Sequence, residues 1–240
     1  MKYSILTTSN SNNLNHYKKY VSSINKQVIL PTELIFINNK TNFINLRDFL
    51  FRNLNKKIKL KYFNNYYTKH VSYSLNLGLK HLSNLIVFRL DIDDQWLNFH
   101  SKLAINEYKK NKKYLIYSND HKLLNLDGFS DVNLITDNPT VHSSWLLNLN
   151  ICRKFNYKKL LPEDYGTLSF YFRKGYKFTL LKNKTVIYNR NSTGLGSKKF
   201  SNKDLKIIKK SNLSFYLIDK NYFNLIKDLG FFGMLKFLFR

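Results

Sequence analysis

The chain of 240 residues contains one cysteine, Cys152. That excludes an intramolecular disulfide framework and a zinc site built on several thiolates. Three prolines and eight glycines leave no Pro- or Gly-rich linker, and no internal repeat is visible, so a single large domain is expected. Acid is scarce: 15 Asp and Glu stand against 40 Lys and Arg, a net charge of +25. No segment reaches the ~18 uncharged apolar residues of a membrane-spanning helix, and "MKYSILTTS" lacks the apolar stretch of a signal peptide. The basic residues are spread along the chain, without a zinc-finger, RNP or basic-zipper pattern, so no specific nucleic-acid partner is expected. The positive excess points instead to a phosphorylated substrate or an anionic membrane surface.

Hydrophobic residues make up 43% of the chain, enough for a sizeable core. They fall in alternating runs. β-type segments over residues 2–8, 32–39, 57–63 and 85–91 are separated by segments with helical spacing over 14–24, 42–54 and 71–82. Alternation of this kind predicts an α/β fold, a mostly parallel twisted central sheet with helices on both faces. Ligands of such sheets bind beyond the carboxyl ends of the strands. Three of those ends carry polar residues: Thr7, Thr8 and Ser9; Asn38 and Asn39; and Asp91 to Asp94. Beyond residue 110 the alternation is less regular. Strands are expected over 113–120, 177–181 and 185–189, an apolar segment over 143–155, a helix over 162–175, and a loop over 191–199.

"FRLDIDDQWL" (88–97) places Asp91, Asp93 and Asp94 within four positions directly behind an apolar run. Three carboxylates so close repel one another, which favours a bound hard cation with oxygen ligands, Mn²⁺ or Mg²⁺. A site with one or two carboxylate ligands leaves positions open for substrate phosphates. The simpler reading is that Asp93 or Asp94 caps the helix expected next, "WLNFHSKLAINEY".

The order of four segments resembles the family 2 glycosyltransferases, enzymes of the GT-A fold that use nucleotide-sugar donors. "YSILTTSNSNN" is similar to that family's opening strand and turn, and "YVSSINKQVILPTELIFINN" to its next helix and strand. "KHVSYSLNLGLKHLSNLIVFRLDIDDQWL" is similar to its donor-binding helix and Asp-x-Asp signature. "HSSWLLNLNICRKFNY" with "LPEDYGTLSFYFRKGYKF" is similar to its acceptor half, where a Glu-Asp pair opens a helix. Arg89-Leu90-Asp91 also resembles the approach to the signature in some rhamnosyltransferases. The resemblance implies Asp91 near the ribose and metal, and Asp93 on the metal. It puts Thr7, Thr8 and Ser9 at the nucleotide and Asn76 near the diphosphate. It makes Asp164, beside Glu163, the base of an inverting, metal-assisted sugar transfer. Two departures stand out: Asn38 and Asn39 occupy the place of two Asp, one of which contacts the nucleoside, and Leu75 that of an Arg.

Glu163 and Asp164 also fit the bland role of acids in a helix's first turn. His142 and Trp145 are candidate acceptor contacts, Trp145 as a stacking platform for a sugar, although an aromatic in an apolar stretch usually packs in a core. Residues 1–95 are expected to form a donor-binding half, 96–210 an acceptor half, and 211–240 a basic amphipathic helical segment. On a helix Leu225, Leu229, Phe232, Leu235 and Phe239 share one face. That face would either pack on the domain or lie in an anionic membrane surface. The partners expected are thus a nucleotide-sugar and a glycan or lipid-linked acceptor, with a cytoplasmic location at the inner face of the membrane. A catalytically degenerate glycosyltransferase-like partner and a basic nucleic-acid-binding protein are the alternatives.

Overall fold

A computed structural model describes residues 1–39, 45–65, 71–110, 115–117, 140–157, 163–176, 178–181, 183–189, 203 and 205–211. The glycine-containing loop over 191–199 and the amphipathic helix expected over 221–240 lie outside the described residues.

The first 95 residues follow the expected alternation. Strand β1 (Tyr3–Ser9) leads through helix α1 (Leu14–Asn25) to β2 (Glu33–Asn38). Helix α2 (Leu46–Asn53), β3 (Lys59–Asn64), α3 (Val71–His81) and β4 (Ile86–Arg89) follow. Every residue of β1, β2 and β4 is buried, as strands covered on both faces require. Alternate side chains feed two cores. Tyr3, Ile5, Leu34, Phe36 and Phe88 pack beneath α1, with Tyr17, Tyr20, Val21 and Ile24 at helical spacing. Leu6, Ile35, Ile37 and Val87 face α3 through Leu75 and Leu79. The Asn13 side chain caps α1 by accepting from the Asn15 N–H at 2.9 Å. Gln27 ties the end of α1 to later chain: its amide donates to Leu97 O (2.9 Å) and its carbonyl accepts from Ser101 N (3.0 Å).

Past β4 the chain is more irregular. Two-residue β5 (Gln95–Trp96) precedes α4 (His100–Lys110) and β6 (Leu115–Tyr117). The apolar stretch over 143–155 is not one element. It divides into a 3₁₀ turn at His142–Ser144, strand β7 (Leu146–Asn148) and helix α5 (Leu149–Phe155), which Asn148 caps by accepting from Asn150 N. Helix α6 (Glu163–Arg173), β8 (Phe178–Leu180) and β9 (Val186–Ile187) follow. Residues 205–211 are helical and bring Ile208 into the second core.

The main sheet has the order β3-β2-β1-β4-β7-β6-β8, and β5 pairs with β9 in a separate ribbon. The pairs β1–β2, β1–β4, β2–β3 and β6–β8 are parallel, whereas β7 runs antiparallel to both β4 and β6. The protein is therefore an α/β domain with a mostly parallel central sheet. The chain winds outward from β1 to β3, then returns to place β4 on the other side of β1. That reversal opens a crevice between the carboxyl ends of β1 and β4, where such sheets bind ligands. Among the described residues no helix is long and apolar enough to cross a membrane.

Candidate functional site

The crevice is floored by one basic side chain. Arg89, the last residue of β4, is 1% exposed. Its Nη1 donates to Leu6 O at 3.0 Å and Leu90 O at 2.5 Å; its Nη2 donates to Thr8 Oγ1 at 3.3 Å and pairs with Asp91 Oδ1. Thr7 is buried, with Oγ1 2.7 Å from Tyr20 OH and donating to Leu90 O at 2.8 Å. Ser9 Oγ lies 2.9 Å from Tyr17 OH and accepts from Ser11 N. Thr7 and Ser9 thus lock the end of β1 to α1 and β4, and Thr8 reaches toward Arg89.

The three aspartates have three fates. Asp91 is 32% exposed at its side chain and carries the Arg89 pair. Asp93 has no side-chain partner among the described residues. Its carboxyl is pushed above the ordinary value by burial and then by the Asp91 charge. Asp94 is 1% exposed; one oxygen lies 2.5 Å from Ser143 Oγ and the other accepts from Asn189 N at 2.9 Å. Burial, then Asp91 and Asp93, raise its carboxyl well above the ordinary range. Neither Asp93 nor Asp94 caps the next helix, because α4 begins only at His100. Asp94 fastens the 3₁₀ turn and the chain after β9 to the end of β4, and Trp96 Nε1 adds a bond to Ser143 O at 2.7 Å.

That turn delivers His142 to the crevice. Its Nδ1 stands 3.9 Å from Asp91 Oδ2 and 3.7 Å from Glu163 Oε1, and its Nε2 lies 3.3 Å from Tyr157 OH. Burial, then Arg89, push the imidazole down to about 3, so it is neutral at pH 7. Glu163 opens α6, and burial followed by the neighbouring Asp164 pushes its carboxyl up to about 8. At pH 7 Glu163 therefore holds a proton. Asp164 Oδ1 accepts from Tyr165 N at 2.7 Å.

Other expected site residues are placed differently. Trp145 is wholly buried, donates from Nε1 to Thr140 Oγ1, and meets His142 edge-on at 4.7 Å, so it presents no face to a sugar. Asn76 spends both ends of its amide on the backbone of Tyr157, donating to its oxygen (3.0 Å) and accepting from its nitrogen (2.7 Å). It ties α3 to the chain leading to α6. Asn38 and Asn39 join an amide cluster: Asn38 Nδ2 donates to Asn64 Oδ1, while Ser74 Oγ donates to Asn39 Oδ1 and accepts from Asn65 Nδ2. Arg89 and Ser143 are the site residues that sequence reasoning passed over. A charge inside the apolar run "LIVFRLD" was the available signal for Arg89; Ser143 offered none.

The aspartate end of β4 fits a divalent ion of the Mn²⁺ or Mg²⁺ type. Asp91 and Asp93 offer oxygen donors, and Asp93 makes no side-chain ion pair among the described residues, His16 and Arg89 acting on it only at a distance. Asp94 is committed elsewhere. Among the described residues no three His, Cys, Asp or Glu side chains converge as a cage. Two carboxylates leave room for phosphate oxygens to complete the coordination.

No protein-family model matches the chain, and no curated protein does. Solved structures do. TarS 1-349 of S. aureus in complex with UDP-GlcNAc superposes with a TM-score of 0.67 at 15% identity, covering 90% of this chain and 67% of that one. The same protein in complex with UDP gives 0.64 at 15% identity, covering 90% and 66%. Mannosyltransferase PcManGT from Pyrobaculum calidifontis, in complex with GDP-Man and Mn²⁺, gives 0.65 at 11% identity, covering 92% and 64%. The chain spans about two thirds of the length of these solved chains and 37% of a longer solved chain of TarS. At such identity the likeness is one of fold, a GT-A-like glycosyltransferase fold.

Proposed function

We propose that the protein is a glycosyltransferase that moves a sugar from a nucleotide-sugar donor to a carbohydrate or lipid-linked acceptor, with inversion. One observation carries the reading. His142 Nδ1 lies within 4 Å of carboxylates from both sides of the crevice, Asp91 behind β4 and Glu163 at the start of α6. Two acidic groups far apart in sequence thus converge on one cleft in a fold whose neighbours include complexes with UDP-GlcNAc and GDP-Man.

In this reading residues 1–95 bind the donor and 96–210 the acceptor. Thr8, Ser9, Asn38 and Asn39 line the approach to the nucleoside, and Asp91 addresses the ribose. Asp91 and Asp93 would hold the divalent ion, which when bound stabilises negative charge on the departing diphosphate. The base is Asp164. Burial and the neighbouring Asp164 charge hold Glu163 toward its protonated form, which leaves the part of general base to Asp164. Attack from the α6 side, opposite the diphosphate, inverts the anomeric centre. His142, neutral and hydrogen-bonded through Tyr157, separates the two acids without adding a charge.

The test is a panel of nucleotide-sugars read by thermal shift, with and without Mn²⁺, followed by NMR of the product. Stabilisation by a nucleotide-sugar and a product of inverted configuration are expected. A panel with no binder defeats the reading, and a retained configuration defeats the role of Asp164.

A further inference from the structure

Arg89 is an unusual residue to find at the end of a wholly buried strand. A fully desolvated guanidinium is costly unless its charge and donors are answered. Here the answer comes from four directions: the carbonyls of Leu6 and Leu90, Thr8 Oγ1, and the Asp91 carboxylate. Only a planar fork with several fixed donors reaches all four; a lysine ammonium would not. Nε, by contrast, is buried without a partner among the described residues. The side chain is therefore set by the needs of its two terminal nitrogens. Leu6 and Thr8 belong to β1, Leu90 and Asp91 follow β4, so the guanidinium sits at the switch point between those strands. Its charge also bears on Asp93, His142 and Glu163.

We propose that Arg89 is a positioning residue, the built-in counter-cation of Asp91. It fixes the rotamer of that carboxylate and offsets its charge whether or not a divalent ion is present, so that the ion is drawn chiefly by Asp93 and needs the donor's phosphates to be held. The proposal rests on the nucleotide-sugar reading only for the identity of those phosphates. It makes the nucleoside side of the site preformed and the metal side dependent on the donor.

The experiment uses Mn²⁺ alone, followed by electron paramagnetic resonance, on the full chain and on R89M, R89K, D91N and D93N. The unmodified protein should bind Mn²⁺ weakly. R89M, with two uncompensated carboxylates, should bind it at least ~10-fold more tightly, because a nearby positive charge has been removed. R89K, which keeps the charge, should stay at the parent affinity. A folded R89M with unchanged or weaker Mn²⁺ affinity overturns the proposal. Thermal unfolding supplies an independent reading should R89M fail to fold. D91N leaves a buried cation unpaired and should lower the melting temperature by roughly 6 °C or more. D93N relieves a repulsion and should leave it equal or higher. Equal stability of D91N and D93N also overturns the proposal. Neither readout involves a sugar donor, so the absence of nucleotide-sugar binding would remove the functional reading and leave this one to stand or fall by itself.

Discussion

The two acidic clusters of the crevice tolerate crowded carboxylates by opposite means. Behind β4, Asp91 is answered by a buried guanidinium, and Asp94 is absorbed by Ser143 and the Asn189 N–H. At the start of α6 Glu163 makes no ion pair with a Lys or Arg among the described residues; Arg89 acts on it only at a distance, and burial pushes its carboxyl up to about 8. Asp91 is held by fixed charge, Glu163 by protonation. The difference suits their proposed tasks. A site for phosphate and metal needs constant charge, whereas a base needs a group that can accept a proton near neutral pH.

The sharpest way to break the contrast is Asp164→Asn. If the α6 pair is the protonic half, turnover should fall ~10²–10⁴-fold while donor affinity persists, as read by single-turnover kinetics beside calorimetric donor titration. Loss of donor binding instead would move Asp164 to the other half. Next in size is the pH dependence of stability. Glu163 titrates near 8 in the folded chain against an ordinary 4.5, so between those values the native state holds a proton that the unfolded chain has released. The contribution of Glu163 to stability is then fully present below about 4.5 and is lost as pH rises toward 8. Asp93 and Asp94, also raised, add in the same direction above their ordinary 3.8. Glu163→Gln should flatten this decline by on the order of 2–4 kcal/mol, measured by denaturant melts across the range. A slope unchanged by the substitution would separate Glu163 from the effect.

Asp94→Ala should cost about 1–3 kcal/mol by stranding the Asn189 N–H and leaving Ser143 Oγ with Asp91 alone. Asp94→Asn, close in shape to the protonated acid, should cost less than about 1 kcal/mol. Equal losses would mean that Asp94 acts through its charge, as Asp91 does. The smallest effect concerns the strut between the clusters. Asn76→Ala should lower stability by about 1–2 kcal/mol, because it removes both bonds to the Tyr157 backbone. Nucleoside diphosphate affinity should hardly move. A large loss of that affinity would restore Asn76 to the diphosphate.

The first 95 residues were legible because their signals are long. Runs such as "YSILTTS" and "ELIFIN" are apolar over a full strand, and the helices between them keep a clear face. The later half gave shorter signals. Residues 143–155 are apolar almost throughout, so no period separates turn, strand and helix; only the pairing of Leu146 to Asn148 with β4 does that. β5 is two residues long and exists because β9, far along the chain, lies against it. The aspartates show the same limit at single-residue scale. Asp93 and Asp94 are adjacent and chemically identical, yet one is left to the cleft and the other is buried beneath Ser143. That distinction is made by a turn some fifty positions away, |i−j| of 49, and sequence spacing carries no trace of it. Trp145 followed the ordinary preference of an aromatic in an apolar stretch and went inside.

The bonds that close the crevice also fix when it can come into being. Arg89 meets Leu6 across 83 positions of chain, and Ser143 meets Asp91 across 52. Contacts of such span are the slow ones in folding, since the loop entropy must be met before they form. α1, α3 and the neighbouring strand pairs can assemble ahead of them, but the guanidinium has its acceptors, and Asp94 its donors, only once β4 has settled between β1 and β7. In the proposed reading, donor binding is the last property to return on refolding. A nucleotide that binds the finished crevice would act as a template for that final step and slow its reversal, giving the chain a kinetic persistence in its substrate's presence that it lacks alone.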